Sequence, residues 1–326
     1  TGLRVPPVQK QHFPSVENPE DLDSYSGESS NRGVAGGAGR LAICDPTDSY
    51  RYVIVTADSF ATAQTDVTVR DLIAQKQARG ISATIVTIEN IRAQYSGVDN
   101  AERLRNFIID AYLNWETEFV LLGGDVNIIP MRKLYCYGGG ETDEIPSDLY
   151  YQCLDGNYNS DNDTYWGETT DGPGGTDVDL MAEIYIGRAS AETRAEMSNF
   201  VYKTLAYENA AESSPYLKRA LMVGEELGFG GVSEYATASM EEIRLGSSEH
   251  GYTTQGFASS SLFSVDTLYD RSGYEWPRSE IISRMNSNNF GIYNHLGHAN
   301  ANYVMKFYNA DADALTDAAE KAFLVC

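Results

Sequence analysis

The sequence predicts an α/β protein whose mostly parallel sheets form two side-by-side subdomains. Three observations carry this. Apolar, strand-like runs alternate with segments of helical spacing from about residue 50 to the end; the order strand, helix, strand, helix, strand occurs twice; and Ser213-Ser214-Pro215 breaks the chain between the two occurrences. Strands separated by helices pair in parallel through right-handed crossovers. The expected organisation is an irregular arm over 1–48, a first α/β subdomain over 49–213 and a second over 214–326.

Residues 1–48 are rich in Pro, Gly, Ser and Glu, with Gly33, Gly36, Gly37 and Gly39 close together and no apolar period, which reads as an arm or the remnant of a pro-segment. Arg40 after these glycines suits proteolytic trimming. Tyr52 to Thr56 reads as a buried strand, Val67 to Arg79 as a helix stopped by Gly80, and Ser82 to Ile88 as the next strand. Ala101 to Trp115 sets Leu104, Phe107, Ile108, Ala111 and Tyr112 on one helix face, and Phe119 to Leu122 is a strand ending in Gly123-Gly124-Asp125. That ending is a tight turn: no Gly-x-Gly-x-x-Gly and no Gly-Lys-Ser/Thr follows it, so no organic cofactor is expected. Met181 to Ser190 reads as a strand and Glu192 to Asn209 as a long helix. Beyond the break come a strand from Arg219 to Glu225, a helix from Ser233 to Leu245, a strand from Phe263 to Tyr269 and a helix from Arg278 to Met285. An apolar strand from Phe290, an acidic helix over Asp311 to Lys321 and a last strand over Ala322 to Cys326 complete the chain given.

The 326 residues carry 47 acidic against 24 basic side chains, a net charge of −23. Such a surface cannot replace phosphate counterions, which excludes a nucleic-acid partner, and it suits saline surroundings or bound calcium. No apolar run approaches the length of a membrane span. Cys44, Cys136, Cys153 and Cys326 are too few for a disulfide framework and lack zinc spacing; one bridge, Cys136 to Cys153, is compatible with a secreted protein. The absence of a leader at the start fits a mature or trimmed product as well as a cytoplasmic one.

Asp155, Asn157, Asn159, Asp161 and Asp163 place oxygen-bearing side chains on every second position, and Glu168 follows. A curled loop can aim such hard oxygens at one centre, so these six residues are the expected ligands of a calcium ion; a solvated acidic loop is the alternative. The match to an EF-hand is partial, since Trp166 stands where its last Glu would, and no Gly occupies the sixth position. Asp171, Asp177 and Asp179 are close enough in sequence to join a second site.

The chemistry concentrates near the end. His298 follows one apolar strand and Cys326 ends the next, and parallel strands deliver such residues to one sheet edge. An imidazole there can make a thiolate, the nucleophile that attacks a carbonyl carbon. Tyr293-Asn294-His295-Leu296-Gly297-His298, a helix, then Phe323-Leu324-Val325 resembles the catalytic core of the gingipain-like cysteine peptidases, family C25, which share the caspase-like fold with legumain, separase and the caspases. Gly124-Asp125 before Ile129-Pro130, then Asp148, Glu183 ahead of Gly187-Arg188, and Lys203 ahead of Tyr207-Glu208 fit the same family, so the resemblance covers about residues 50 to 326. It implies a three-layer caspase/gingipain-like sandwich and a secreted or cell-surface cysteine endopeptidase acting on proteins or peptides. It also implies that His298 is the base and that the backbone near Gly297 helps hold the oxyanion. Glu183 matches a Glu that orients the His in some members; pairing with Arg188 is its other reading. Relatives often carry an Asp-Gly-Asn-x-x-x-Asp-x-Asp insertion before Gly-Glu, as here at 155–168, which favours calcium.

Two positions depart from the family pattern. Ala299 replaces a Gly, and the nucleophile is expected about four residues past Cys326. In that register Cys326 is a buried strand residue, with Cys326 itself as the nucleophile the other possibility. A further segment, cleaved from or continuous with this chain, is then expected to complete the sheet. The alternatives to an endopeptidase are a non-catalytic caspase-fold module and a sortase-like transpeptidase in surface-protein assembly. His295 is expected to point away from His298, and His12 and His250 have no evident partners.

Overall fold

The computed structural model of the protein describes residues 43–325 except 63–65, 139, 179, 258–262, 288–289, 301 and 317–322. Most of the expected arm with Arg40, the calcium candidate Asp179, the second half of the helix expected over Asp311–Lys321, and Cys326 lie outside the described residues.

The first half runs β1 (Tyr52–Thr56), α1 (Asp58–Ala61), α2 (Val69–Ala78), β2 (Ala83–Thr87), α3 (Ile88–Gln94), α4 (Asn100–Trp115), β3 (Phe119–Gly123), β4 (Arg132–Gly138), β5 (Glu141–Ser147), α5 (Leu149–Gln152), β6 (Tyr185–Ala189) and α6 (Arg194–Glu208). The second runs β7 (Arg219–Gly224), α7 (Thr237–Leu245), β8 (Ser264–Tyr269), α8 (Arg278–Asn286), β9 (Ile292–Leu296), β10 (Ala299–Asn300), β11 (Tyr303–Val304), β12 (Phe307–Tyr308), α9 (Asn309–Asp313) and β13 (Phe323–Val325). Two parallel sheets result, ordered β2-β1-β3-β6 and β13-β9-β7-β8. They are wound alike. In each, the second strand pairs on one side of the first, and the third and fourth build out on the other.

Strand alternation decides which residues face which helices. Val53, Val55, Val120 and Leu122 enter a core with Ile88 and Ile91 of α3 and Leu104, Phe107 and Ile108 of α4. Ile54 and Leu121, one position out of phase, meet Phe60, Leu72, Ile73, Met197 and Val201 from α1, α2 and α6. The second sheet repeats this: Leu221 and Val223 pack with Trp276, Ile281 and Tyr293, while Met222 meets Ala236 and Met240 on the other face. Each sheet is the middle of three layers, as the sequence predicts for a caspase-like α/β sandwich.

The helix starts are written in short polar motifs. Thr68 with Asp71 caps α2 and Thr193 with Glu196 caps α6, each pair satisfying backbone N–H groups that the first turn leaves open. Asp99 caps α4 through the Glu102 N–H and also forms a two-pronged pair with Arg132.

Several elements differ from expectation. The short helix α3 begins directly after β2, the hairpin β4–β5 fills a stretch read only for its motifs, and an antiparallel meander β10–β11–β12 follows His298. Pro146 is tolerated in β5 because that sheet has only two strands. α9 ends at Asp313 and β6 begins only at Tyr185, which leaves Glu183 ahead of the strand. The Cys136–Cys153 bridge is not formed: Cys153 is inside the first core, whereas Cys136 sits on the half-exposed hairpin.

Arg188 of β6 ties the first half together. Its guanidinium donates to the carbonyls of Gly124 (3.0 Å) and Ile129 (2.8 Å) and forms a two-pronged pair with Asp148, both contacts at 2.7 Å. The scattered motifs Gly124-Asp125, Ile129-Pro130, Asp148 and Gly187-Arg188 thus meet at one side chain that is 11% exposed. Replacing Arg188 by Met strands a carboxylate and two carbonyls, so urea unfolding should show a loss of about 3 kcal/mol. A loss under about 0.5 kcal/mol would mean that the pair behaves as a solvent-screened surface contact.

Candidate active site

The strand order of the second sheet reverses between β7 and β9, because β7 continues to β8 on one side and β9 lies next to β13 on the other. At such a reversal the connections leave in opposite directions and open a crevice beyond the strand ends. Glu225 directly follows β7, Asp270 directly follows β8, and Gly297-His298 directly follows β9.

Glu225 is the centre of this crevice. Its backbone N–H donates to Leu296 O at 3.0 Å and its carbonyl accepts from Ala236 N–H at 2.9 Å, which fixes it between β9 and α7. Its side chain, 3% exposed, stands between two histidines. Oε1 is 3.0 Å from Nε2 of His295, itself 2% exposed. Oε2 is 3.4 Å from the His298 backbone N–H and 3.5 Å from its Nδ1, and the His298 ring is 62% exposed. A carboxylate so buried needs donors around it, and these are the ones it has. The His298 contact, through Nδ1, is longer than a tight hydrogen bond, and it leaves Nε2 free to face the crevice.

Gly297 completes the packing. A Cβ there would lie 2.5 Å from His295 Nε2 and 2.6 Å from Glu225 Cδ, so no side chain fits. The Gly-His pair read in the sequence is therefore a requirement of the carboxylate beneath it.

A second buried charge braces the same edge. Asp270, 1% exposed, accepts from the backbone N–H groups of Glu226 (3.0 Å) and Trp276 (2.9 Å) and pairs with Lys306 at 2.8 Å. Lys306 also donates to Trp276 O at 3.1 Å and lies 4.3 Å from the Trp276 ring centre. The indole N–H closes the network on Gly224 O at 3.0 Å, one residue before Glu225. Tyr303 of β11 faces this region; burial and the charge of Glu225 push its hydroxyl pKa up.

Two readings of the sequence are corrected here. Glu183 does not approach His298: it lies ahead of β6 in the first half, its Oε2 accepts the Leu154 N–H at 2.6 Å, and Arg188 pairs with Asp148 instead. Burial there pushes its carboxyl up. His295 does not point away from His298. Both contact Glu225, because His298 lies past the end of β9, where strand alternation no longer sets direction. The residue missed was Glu225. Its signal, shared with Asp270, was an acid immediately after an apolar parallel strand.

Three cysteines fall far from this chemistry. Cys44 and Cys153 are within the first core and Cys136 is on the β4–β5 hairpin. Burial pushes the Cys44 thiol up to about 12, partly opposed by the Tyr95 hydroxyl at 3.7 Å.

The acidic loop converges only in part. Ligand atoms of the carboxylates Asp161, Asp163 and Glu168 lie within 4.8 Å of one another, and the Asp155 carboxylate is not in that group. Asn159 is engaged by the loop itself, accepting Asp163 N–H at 3.0 Å and donating to Asp163 O at 3.2 Å. Asp171, fully buried, accepts the N–H groups of Ser160 (2.7 Å), Gly167 (2.9 Å) and Glu168 (3.0 Å), so it shapes the loop and is not available to a second site.

Gly297→Ala tests the central packing. The added methyl should force Glu225 and His295 apart and lower the thermal midpoint by several degrees, whereas Ala299→Gly, at an exposed position, should change it little. Equal midpoints for wild type and Gly297→Ala would show that the close approach is not required.

Solved structures resemble this arrangement. The complex of Porphyromonas gingivalis RgpB pro- and mature domains superposes with a TM-score of 0.58 at 18% identity, covering 84% of this chain and 54% of that one. The Arg-specific cysteine proteinase gingipain R (RgpB) gives 0.60 at 19% identity, covering 87% and 55%. A structure described only as a protease gives 0.57 at 17%, covering 84% and 51%. The chain thus spans about half the length of these matched structures, and at such identity the likeness is one of fold. A search of curated proteins returns no match. A family model described as peptidase family C25 matches residues 45–326, and the protein belongs to that family.

Proposed function

We propose that the protein is a secreted cysteine peptidase in which His298 serves a cysteine that follows Val325. The observation that carries this is the exposed His298 ring held against the buried Glu225 carboxylate at the strand-order reversal, in a chain of peptidase family C25. The β13–β9 register pairs Val325 with Asn294, four residues before His298. The nucleophile in this reading is Cys326 or a cysteine shortly after it.

His298 takes the thiol proton, and the negative charge of Glu225 favours the resulting imidazolium. The thiolate attacks the peptide carbonyl carbon; as the tetrahedral intermediate collapses, the C–N bond breaks and the imidazolium gives its proton to the leaving amine. Water, deprotonated by the same ring, then hydrolyses the thioester and returns the thiol. Backbone N–H groups near Gly297 and the nucleophile are the proposed oxyanion donors. Protein or peptide chains are the proposed substrates, and an amine in place of water in the second half would make the enzyme a transpeptidase.

The test uses the full-length protein with a panel of peptides and a thiol-directed peptidyl ketone, followed by mass mapping. Hydrolysis and one adduct on a cysteine after Val325 are expected, with His298→Ala lowering kcat/KM by about a thousandfold or more. No hydrolysis and no adduct, or an adduct on Cys136, would overturn the proposal.

We also propose that the acidic loop holds a calcium ion. Three clustered carboxylates are hard donors of the kind calcium takes, and Asp171 with its three N–H donors fixes the loop that presents them. Calcium should raise the unfolding midpoint by several degrees and Asp163→Asn should remove that rise. An unchanged midpoint across millimolar calcium and chelator would rule the ion out.

A further inference from the structure

Resting on the peptidase reading, we propose that His295 is a positioning residue of that site: its Nε2–H donates to Glu225 Oε1 and thereby fixes the carboxylate, with Oε2 turned to His298.

The geometry assigns the proton. An ionised carboxylate only accepts, and between a carboxyl and an imidazole the proton belongs on the more basic ring, so Nε2 of His295 carries the hydrogen across the 3.0 Å contact. Both side chains are almost fully buried, at 2% and 3% exposure, so bulk water does not compete for this bond. Among the described residues, Oε2 has only the longer contacts to His298, at 3.4 and 3.5 Å. The short, buried bond therefore fixes the carboxylate plane, and the long, exposed one is what remains for the reacting ring.

The surroundings leave this task to His295. From β11, Tyr303 faces Glu225, and its raised hydroxyl pKa keeps it neutral. From the end of β8, Asp270 is already engaged by Lys306. From the loop after β9 comes His298 itself, and Gly297 leaves no room for an additional group. Among the described residues, His295 is thus the only imidazole or cation besides His298 that contacts this carboxylate.

Two polar replacements separate positioning from mere filling of space. The Nε2 of Gln can reach where imidazole Nε2 lies, whereas the Nδ2 of Asn stops short of it. In His295→Asn the buried carboxylate loses its donor and takes up a proton more readily, so the acidic limb of kcat/KM should move up by about one pH unit. At pH 6, kcat should fall about tenfold with KM little changed, and the His298 ring should titrate at lower pH by NMR. His295→Gln should stay within about threefold of wild type in kcat and keep the wild-type His298 midpoint.

Equal behaviour of the two variants, or a loss of kcat with the acidic limb and the His298 midpoint unmoved, would overturn the assignment. The NMR titration reads the Glu225 contact without turnover. A His298 midpoint that moves in His295→Asn but not in His295→Gln, in a protein that cleaves no peptide, would uphold His295 as the group that sets Glu225 and reject the peptidase reading alone.

Discussion

The second half of the molecule is built around one buried negative charge. An ionised carboxylate removed from water is costly unless donors replace the water. Glu225 meets that condition by drawing in His295, the His298 backbone and the His298 ring. Each contact constrains something else. The Glu225 N–H to Leu296 O bond continues the pairing of β7 with β9 by one residue, Gly297 must be bare for the chain to pass over the pair, and His298 is turned to the crevice. The exposed ring of His298 follows from the needs of the carboxylate below it.

Asp270 repeats the device one strand over, with different partners. Its cation comes from Lys306, which the meander returns to the sheet edge through a turn where Met305 and Lys306 both have positive φ, at 54° and 55°. Non-glycine residues hold that conformation only when the surroundings compensate for it. Met305 is fully buried in the second core and Lys306 ends on a buried carboxylate and an indole face, so both side chains return the cost of the turn. This explains why a short meander, and not a direct passage to α9, follows His298. The meander is what closes the charge network of β8.

The fold was legible because it rests on repeated, local signals. The runs Tyr52–Thr56 and Arg219–Gly224 and the amphipathic spacing of Asn100–Trp115 required only the strand and helix periods to be recognised. His298 and Gly297 were legible as a pair with a strand before them. Their acid was not, since Glu225 is 73 residues upstream in the sequence and meets them only because β7 and β9 are neighbours. Glu183 looked equivalent by motif, but it precedes the first-half strand β6 and faces the Leu154 backbone. In the acidic loop the pattern suggested six converging ligands; the buried Asp171, three residues past Glu168, curls the segment so that the carboxylates of Asp161, Asp163 and Glu168 converge without that of Asp155. Long-range partners and loop closure are what a linear pattern omits.

The family's motifs therefore divide by physical task. Those of the first half, Gly124-Asp125, Ile129-Pro130, Asp148 and Gly187-Arg188, serve a guanidinium that locks loops around β3 and β6. The later one, Gly297-His298, serves the Glu225 carboxylate at a strand-order reversal. The two halves share one winding and differ in what occupies the strand ends. In the first sheet, the glycines at the end of β3 pack over Thr56 and Ile128, and Ala57 and Gly124 stand where the second sheet has Glu225 and Gly297. One parallel α/β plan can thus carry a structural guanidinium in one half and a buried carboxylate with two histidines in the other. The distinction rests on whether the residue after the first strand is Ala57 or Glu225.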